Sequence, residues 1–429
     1  MDLPGKIDTV VVGAGQAGLT MSWFLRSGRR DHVLLDRRAR LGGGWLDRWD
    51  SFRLVSPNWT ASFPGFRYAG PEPDGFMGRD EIAGRVAAYA EKTSAPVVLD
   101  TEVRRLSSRP GGGFRLETSQ GTTEARQVIV ATGGFHVPRV PACAAALSKR
   151  VFSLHSHFYR NEGQLPPGAV LVVGSGQSGV QLVEELRGAG RRVFLSVGTA
   201  GRAPRRYRGQ DLFFWLRQLA ERGPALGTPL PSADQLPDPR RRLAGNPHVS
   251  GHGGGHDTDL RRFAAEGTTL LGRLEAIDGE RVRFAPDLLA NLAAADRFFD
   301  ERFAPLIEAL IERAGMAAPP DDRVPFRYEP TLVSELGLAD AGISTVLWTS
   351  GYRFDYGWIE YPIFDAMGFP RQRRGVTEVP GLYFIGSLWQ HNQGSATLFG
   401  MDLDARVLAE RMGLTPPGNE QVEGASASA

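Results

Sequence analysis

A single cysteine, Cys143, in 429 residues excludes an intrachain disulfide, a CxxC redox pair and a thiolate zinc cluster. No apolar run approaches the roughly 18 residues a membrane-spanning helix requires. The basic region, apolar stretch and small-residue cleavage site of a secretory leader are also missing, because Met1 leads almost at once into Asp8-Thr-Val-Val-Val12. These absences make a cytoplasmic location the expectation. The formal net charge of +2 leaves no global field to draw in nucleic acid or a membrane surface. Lysine occurs only at Lys6, Lys92 and Lys149 among 50 basic residues, so arginine clusters carry little weight by themselves. With 41% hydrophobic and 23% charged residues, the composition is that of a globular chain with room for two or three domains and a small-molecule site.

The apolar pattern repeats one grammar twice. Val10 to Val12 form a β-branched run that ends at glycine and passes into the apolar-periodic segment Leu19, Met21, Trp23, Phe24, Leu25. Val33-Leu34-Leu35 then ends in Asp36, completing a strand, helix, strand unit. Residues 97 to 131 read as a β-meander with a turn at Gly111 to Gly113 and a last strand up to Thr132. The grammar restarts at Val170 to Val173, runs through a helix with Val180, Leu182, Val183 and Leu186, and returns in Val193 to Val197. Between residues 209 and 322 it loosens into a Pro-rich loop (228–239), a Gly/His-rich loop (249–256) and an amphipathic stretch from Leu288 to Ala314. That stretch serves either an internal interface or a homodimer. Buried strands near Thr345 to Trp348 and Leu382 to Ile385 and a terminal helix, Asp402 to Met412, close the pattern.

The fold expected is α/β, with two Rossmann-like dinucleotide-binding domains, the second inserted in the first, and helical additions. The division expected is 1–164 and 323–412 for the first domain, 165–322 for the second, and a disordered tail over 413–429.

Gly13-Ala14-Gly15-Gln16-Ala17-Gly18 follows a strand directly and opens a helix, the context that gives a GxGxxG match its meaning. The first glycine permits the tight turn, the second lets pyrophosphate approach the backbone, and the third allows close helix-to-strand packing. Asp36 ends the second strand, where an acid accepts hydrogen bonds from ribose hydroxyls. Gly174-Ser175-Gly176-Gln177-Ser178-Gly179 repeats the arrangement, but its strand ends in Ser196. A serine does not repel a 2′-phosphate, and Arg202, Arg205, Arg206 and Arg208 follow, which points to NADPH.

These loops resemble those of the two-domain flavoproteins, and within them the class B flavin monooxygenases: N- and S-oxygenating enzymes, indole-pyruvate monooxygenases and Baeyer–Villiger enzymes. Gly42-Gly43-Gly44-Trp45 is similar to the family's GGxW segment along the FAD. Val128 to Thr132-Gly133 resembles its ATG segment, Trp348 to Tyr352 its ATGY counterpart, and Gly381 to Gly386 the strand that ends at the flavin ring. His155-Ser156-His157-Phe158-Tyr159-Arg160 resembles half of the fingerprint FxGxxxHxxx(F/Y)(K/R), with Lys149 and Val151 in place of its Phe and Gly. Tyr159-Arg160 replaces the Trp-Pro of Baeyer–Villiger fingerprints, which tilts the expectation to N/S- or C-oxygenation.

The resemblance implies FAD and NADPH as cofactors, and O2 and a small organic molecule as substrates. It implies a reaction through a flavin C4a-(hydro)peroxide, with the cofactor carrying the chemistry and the protein excluding water. Asn58, in Pro57-Asn58-Trp59, is the candidate donor to that species, and a turn-forming asparagine is the other reading. His391, Asn392 and Gln393 are candidates for lining the substrate pocket, although loop capping also accounts for Asn392. Trp59, Trp348 and Trp358 suit either a flavin site or a core. His248, His252 and His256 recur every fourth residue, but Pro247, Gly251 and Gly253 to Gly255 forbid the helix a metal face needs, so no metal is expected. Two alternatives remain open: an NAD(P)H-dependent flavin oxidoreductase or oxidase without oxygen insertion, and a non-catalytic FAD/NAD(P)-binding regulator.

Overall fold

The computed structural model describes residues 2–243 and 246–414. Two parallel sheets organise it. The first places Leu382–Phe384, Gly121–Val130, Lys6–Val12, His32–Leu35 and Val97–Val98 side by side and parallel, with Val12 opposite Val130 and Leu35. Val103–Ser108 and Phe114–Thr118 run antiparallel into Gly121–Val130 as the expected meander, and Gly111 to Gly113 turn it with φ of +84°, +96° and +83°. The second sheet is parallel throughout, in the order Thr269–Leu271, Val193–Ser196, Ala169–Val173, Ile343–Trp348, Phe152–His155. The strands beside each glycine loop are buried on both faces, which explains their unbroken Val/Leu runs.

The second sheet takes in Phe152–His155 and Ile343–Trp348, two strands that the expected division assigned to the first domain. The chain crosses between units instead at two short segments, Val137–Pro138 and Tyr352–Arg353, which pair antiparallel. One continuous buried cluster runs from Val11, Met21 and Phe24 to Val172, Leu186 and Leu195, so the two sheets share a core.

The elaborated region supplies Leu212–Glu221, capped by Asp211 Oδ1 accepting from Phe213 N at 2.8 Å, and Leu260–Ala265. The stretch expected from Leu288 to Ala314 forms two helices, Leu288–Arg302 and Ala304–Ala314, with Phe303 at the break and Pro305 in the first turn of the second. Both serve an internal core, with Phe299, Phe303, Ile307 and Leu310 packed on Leu212, Trp215 and Leu219. The terminal helix is Met401–Arg411, and Leu414 packs beneath Gly28, so the expected tail does not begin at residue 413. Its remainder, 415–429, lies outside the described residues. No helix among the described residues is long and apolar enough to cross a membrane.

Candidate functional site

At the first loop, backbone meets backbone. A Cβ on Gly13 would lie 2.6 Å from the Ala131 carbonyl oxygen, and one on Gly18 would lie 1.9 Å from that of Gly13. Gly43 approaches the Gly15 Cα, and Gly386 approaches the Ala17 side chain. Trp45 Nε1 donates to Gln16 Oε1 at 3.1 Å. Thr132 and Gly133 follow the strand whose next residue, Ala131, donates to Val12 O at 2.8 Å. The structure thus brings Gly13, Gly15, Gln16, Ala17, Gly18, Gly43, Gly44, Trp45, Thr132, Gly133 and Gly386 together from four separate segments. Gly44 and Gly133 have open space where a Cβ would point.

The helix behind this loop, Gln16–Ser27, has glycine as its N-cap, no side-chain cap and no acid in its first turn. Its leading N–H groups therefore face the cradle without a side-chain cap among the described residues, the arrangement that suits a pyrophosphate. Asp36 is buried, with one oxygen accepting from Ala14 N at 2.8 Å and the other from Arg38 N at 2.9 Å. Each oxygen keeps a lone pair for a ribose hydroxyl while the carboxylate fixes the loop.

The second loop repeats this. A Cβ on Gly179 would lie 2.1 Å from Gly174 O, and Gly176 faces open space. Gln177–Gly188 likewise starts with a glycine N-cap and has no acid in its first turn. Thr349 Oγ1, from the segment resembling ATGY, donates to Gly174 O at 2.6 Å and ties the loop to the neighbouring strand. Ser178 is part-buried in the first turn.

The Gly/His loop is ordered and straps this site. His248 is fully buried, and its Nε2 donates to Ser175 O. Gln177 donates to Val249 O at 2.7 Å and accepts from Val249 N at 3.3 Å. His256 Nε2 and Ser250 Oγ each bond Glu184 at 2.8 Å. Gly251 lies against Leu54 O and the Phe76 ring, so the strap also touches the first domain. Burial pulls His248 down to about 4, whereas the hydrogen bond to Glu184 raises His256. The three histidines form no metal-binding group among the described residues.

Arg205, Ser196 and Asn58 are engaged within the fold. Arg205 is 3% exposed, and all three of its nitrogens are committed: Nε and Nη2 to Asp211, at 2.8 and 2.5 Å, and Nη1 to Val55 O at 2.5 Å. It is a buried tie between the domains, closed off from any ligand that solvent could deliver. Ser196 is also spent, donating to Gly272 O at 3.0 Å and accepting from Leu274 N at 3.1 Å. Asn58 accepts from Met77 N at 2.6 Å and donates to Glu72 O at 2.9 Å, so its side chain shapes the loop 72–77 rather than facing a reaction centre.

His391, Asn392 and Gln393 are part-buried in the loop after Gly386. Asn392 Oδ1 accepts from Gly394 N at 2.8 Å, the capping role, while Ala233 N of the Pro-rich loop donates to His391 O at 2.8 Å. The elaboration therefore covers this loop. Beside it, Gln390 is 3% exposed with neither Nε2 nor Oε1 partnered, and burial lifts Asp404 to about 6. Ala396 O, in the same loop, accepts from Gln16 Nε2 at 3.5 Å, which joins it to the first glycine loop. Gln390 heads the polar run Gln390-His391-Asn392-Gln393 that the sequence sets after the Gly386 strand, whereas nothing in the local sequence marked Asp404. Trp348 Nε1 bonds Ser153 Oγ at 2.8 Å within the second sheet's core, and Trp358 packs on the first sheet's outer cluster. In the fingerprint-like segment, His155 Nε2 donates to Gly351 O at 3.1 Å and the Tyr159 hydroxyl donates to Glu185 at 2.7 Å, so both brace the crossing.

Residues 10–220 match the family model described as pyridine nucleotide-disulphide oxidoreductase. A CzcO-like oxidoreductase of Geobacillus kaustophilus is 31% identical over 407 residues, covering 94% of this chain and 97% of that protein. Among solved structures, a flavin-containing monooxygenase from Stenotrophomonas maltophilia is similar with a TM-score of 0.65 and 20% identity, covering 96% of this chain and 99% of the other. An ornithine N-hydroxylase from Kutzneria sp. 744, with reduced FAD, NADP+ and ornithine, has a TM-score of 0.60 and 17% identity, covering 95% and 100%. With two glycine cradles on two parallel sheets and a relative matched along nearly its whole length, the chain belongs to the CzcO-like oxidoreductase family.

Proposed function

We propose that this protein is an FAD-dependent, NADPH-consuming monooxygenase that oxygenates a small organic substrate at nitrogen, sulfur or carbon. The observation that carries the reading is the pair of helix N-termini, each behind a glycine loop, each without side-chain cap or first-turn acid. One cradle suits the pyrophosphate of FAD, with Asp36 for its ribose; the other suits that of the pyridine nucleotide. Bound FAD, reduced by NADPH, supplies the oxygen chemistry. The chain's part is to hold both nucleotides and keep water out. The cover of Ser232 and Ala233 over His391 and Asn392, and the packing of Phe213 on Phe399 at 5.8 Å, support that second task.

Dithiol exchange is disfavoured, since Cys143 stands alone. The test is to purify the protein with FAD, add NADPH, and follow flavin bleaching and oxygen uptake together. NADPH-dependent bleaching with oxygen uptake supports the reading; a flavin that NADPH cannot bleach refutes it and favours the regulator.

A further inference from the structure

We propose that Asp259 sets how weakly the second nucleotide site distinguishes a 2′-phosphorylated adenosine from an unphosphorylated one, by holding Arg202 in a neutralised cluster. The proposal rests on reading that site as the pyridine-nucleotide site. It makes the enzyme one that accepts NADH nearly as well as NADPH.

The geometry places Arg202 next to the loop. Gly198 N donates to Ser175 Oγ at 2.9 Å, which fixes the turn after the strand Val193–Ser196 against Gly174-Ser175-Gly176. Arg202 then bridges to His248, the residue whose ring binds Ser175 O. With Ser196 spent and Arg205 buried in its own pair, Arg202 joins the loop through His248 and retains access to solvent, at 23% side-chain exposure.

Its charge is already answered. Nη1 lies 3.1 Å from Asp259 Oδ2, and Nε donates to Asp296 Oδ1 at 2.9 Å. The other Asp296 oxygen takes Arg261 Nε at 2.9 Å. Two arginines and two aspartates sum to zero. Asp259 cannot swing away, because its Oδ1 also accepts from Arg261 N at 2.8 Å and caps Leu260–Ala265. At 6% side-chain exposure its charge is poorly screened by water. A 2′-phosphate can thus gain Arg202 only by sharing it with a fixed carboxylate of like charge. A 2′-hydroxyl meets no such repulsion and can donate to an aspartate.

The substitution that isolates this effect is Asp259→Asn, since asparagine keeps the cap and loses the charge. Calorimetric binding of NADP+, NAD+, 2′,5′-ADP and 5′-AMP to FAD-loaded protein reads it without turnover. Wild-type protein is expected to prefer NADP+ over NAD+ by less than about fivefold, and Asp259→Asn to move the ratio a further five- to tenfold, roughly, toward NADP+. The 2′,5′-ADP to 5′-AMP ratio should move with it, and the gain should shrink at high salt. Asp296→Asn, in the helix Leu288–Arg302, should act in the same direction and serves if the first variant fails to fold. A wild-type preference beyond about a hundredfold, or an unchanged ratio in the folded variants, overturns the role of Asp259. Loss of all nucleotide binding in wild type defeats the site reading beneath it, a different outcome.

Discussion

Removing the Arg205 guanidinium should destabilise the fold without changing which pyridine nucleotide is used. Arg205 and Asp211 form a pair at 4% and 17% side-chain exposure, and Arg205 also lies 4.6 Å above the Phe76 ring. Deleting one partner of such a pair leaves a buried charge unanswered, which costs about 3–5 kcal/mol. Arg205→Met keeps most of the volume, so the charge dominates the loss. Asp211 already titrates higher than usual because burial opposes its charge. Without Arg205 it should protonate more readily still, so the penalty stands at neutral pH and eases as pH falls through the carboxyl's raised value. Asp211→Asn in the same chain keeps the acceptor for Phe213 N and should recover most of the loss. The assay is urea unfolding at pH 7.5 and pH 5.5 for wild type, Arg205→Met and the double variant. A single variant within about 1 kcal/mol of wild type, or a double variant no better than the single, would refute the reasoning. So would a changed NADP+ to NAD+ binding ratio, which would restore Arg205 to the nucleotide site.

Gly18→Ala should cost at least about tenfold in FAD affinity, read as FAD content after dialysis, whereas Gly179→Ala should spare FAD and weaken pyridine-nucleotide binding by a similar factor. Asn58→Ala orphans Met77 N and Glu72 O and should lower stability by about 2–3 kcal/mol in urea titration, with no selective rise in peroxide release. His155 and His248, both held near 4 by burial, stay neutral in the fold while an unfolded histidine titrates near 6.5. Their share of stability is complete above pH 6.5 and is lost as pH falls toward 4, by up to about 3 kcal/mol each, so the melting temperature should drop steeply over that window and less so in His248→Gln.

Local grammar explains what was legible. A strand, a glycine loop and an amphipathic helix are set by residues within about thirty positions, so both cradles and Asp36 could be read from Val10 to Asp36 and from Val170 to Val197. Long-range pairing could not be read: nothing near Phe152 or Ile343 says that both strands flank Ala169–Val173 in one sheet. Leu212, Trp215, Leu216 and Leu219 carry a helical stripe that was available in the sequence, yet the surrounding proline and glycine loops hid it. The partners of Arg205 and Asn58 were hidden for one reason. Residue type gives the chemistry a side chain offers, but only the fold shows that Asp211, Val55, Met77 and Glu72 consume it.

The most direct test of the central claim is rapid mixing of the FAD-loaded protein, reduced anaerobically with NADPH, against oxygenated buffer while the flavin spectrum is recorded. A monooxygenase should be fully reduced by NADPH and then show a transient spectrum distinct from both reduced and oxidised flavin before the oxidised bands return. Direct return to oxidised flavin with stoichiometric hydrogen peroxide would contradict the monooxygenase assignment.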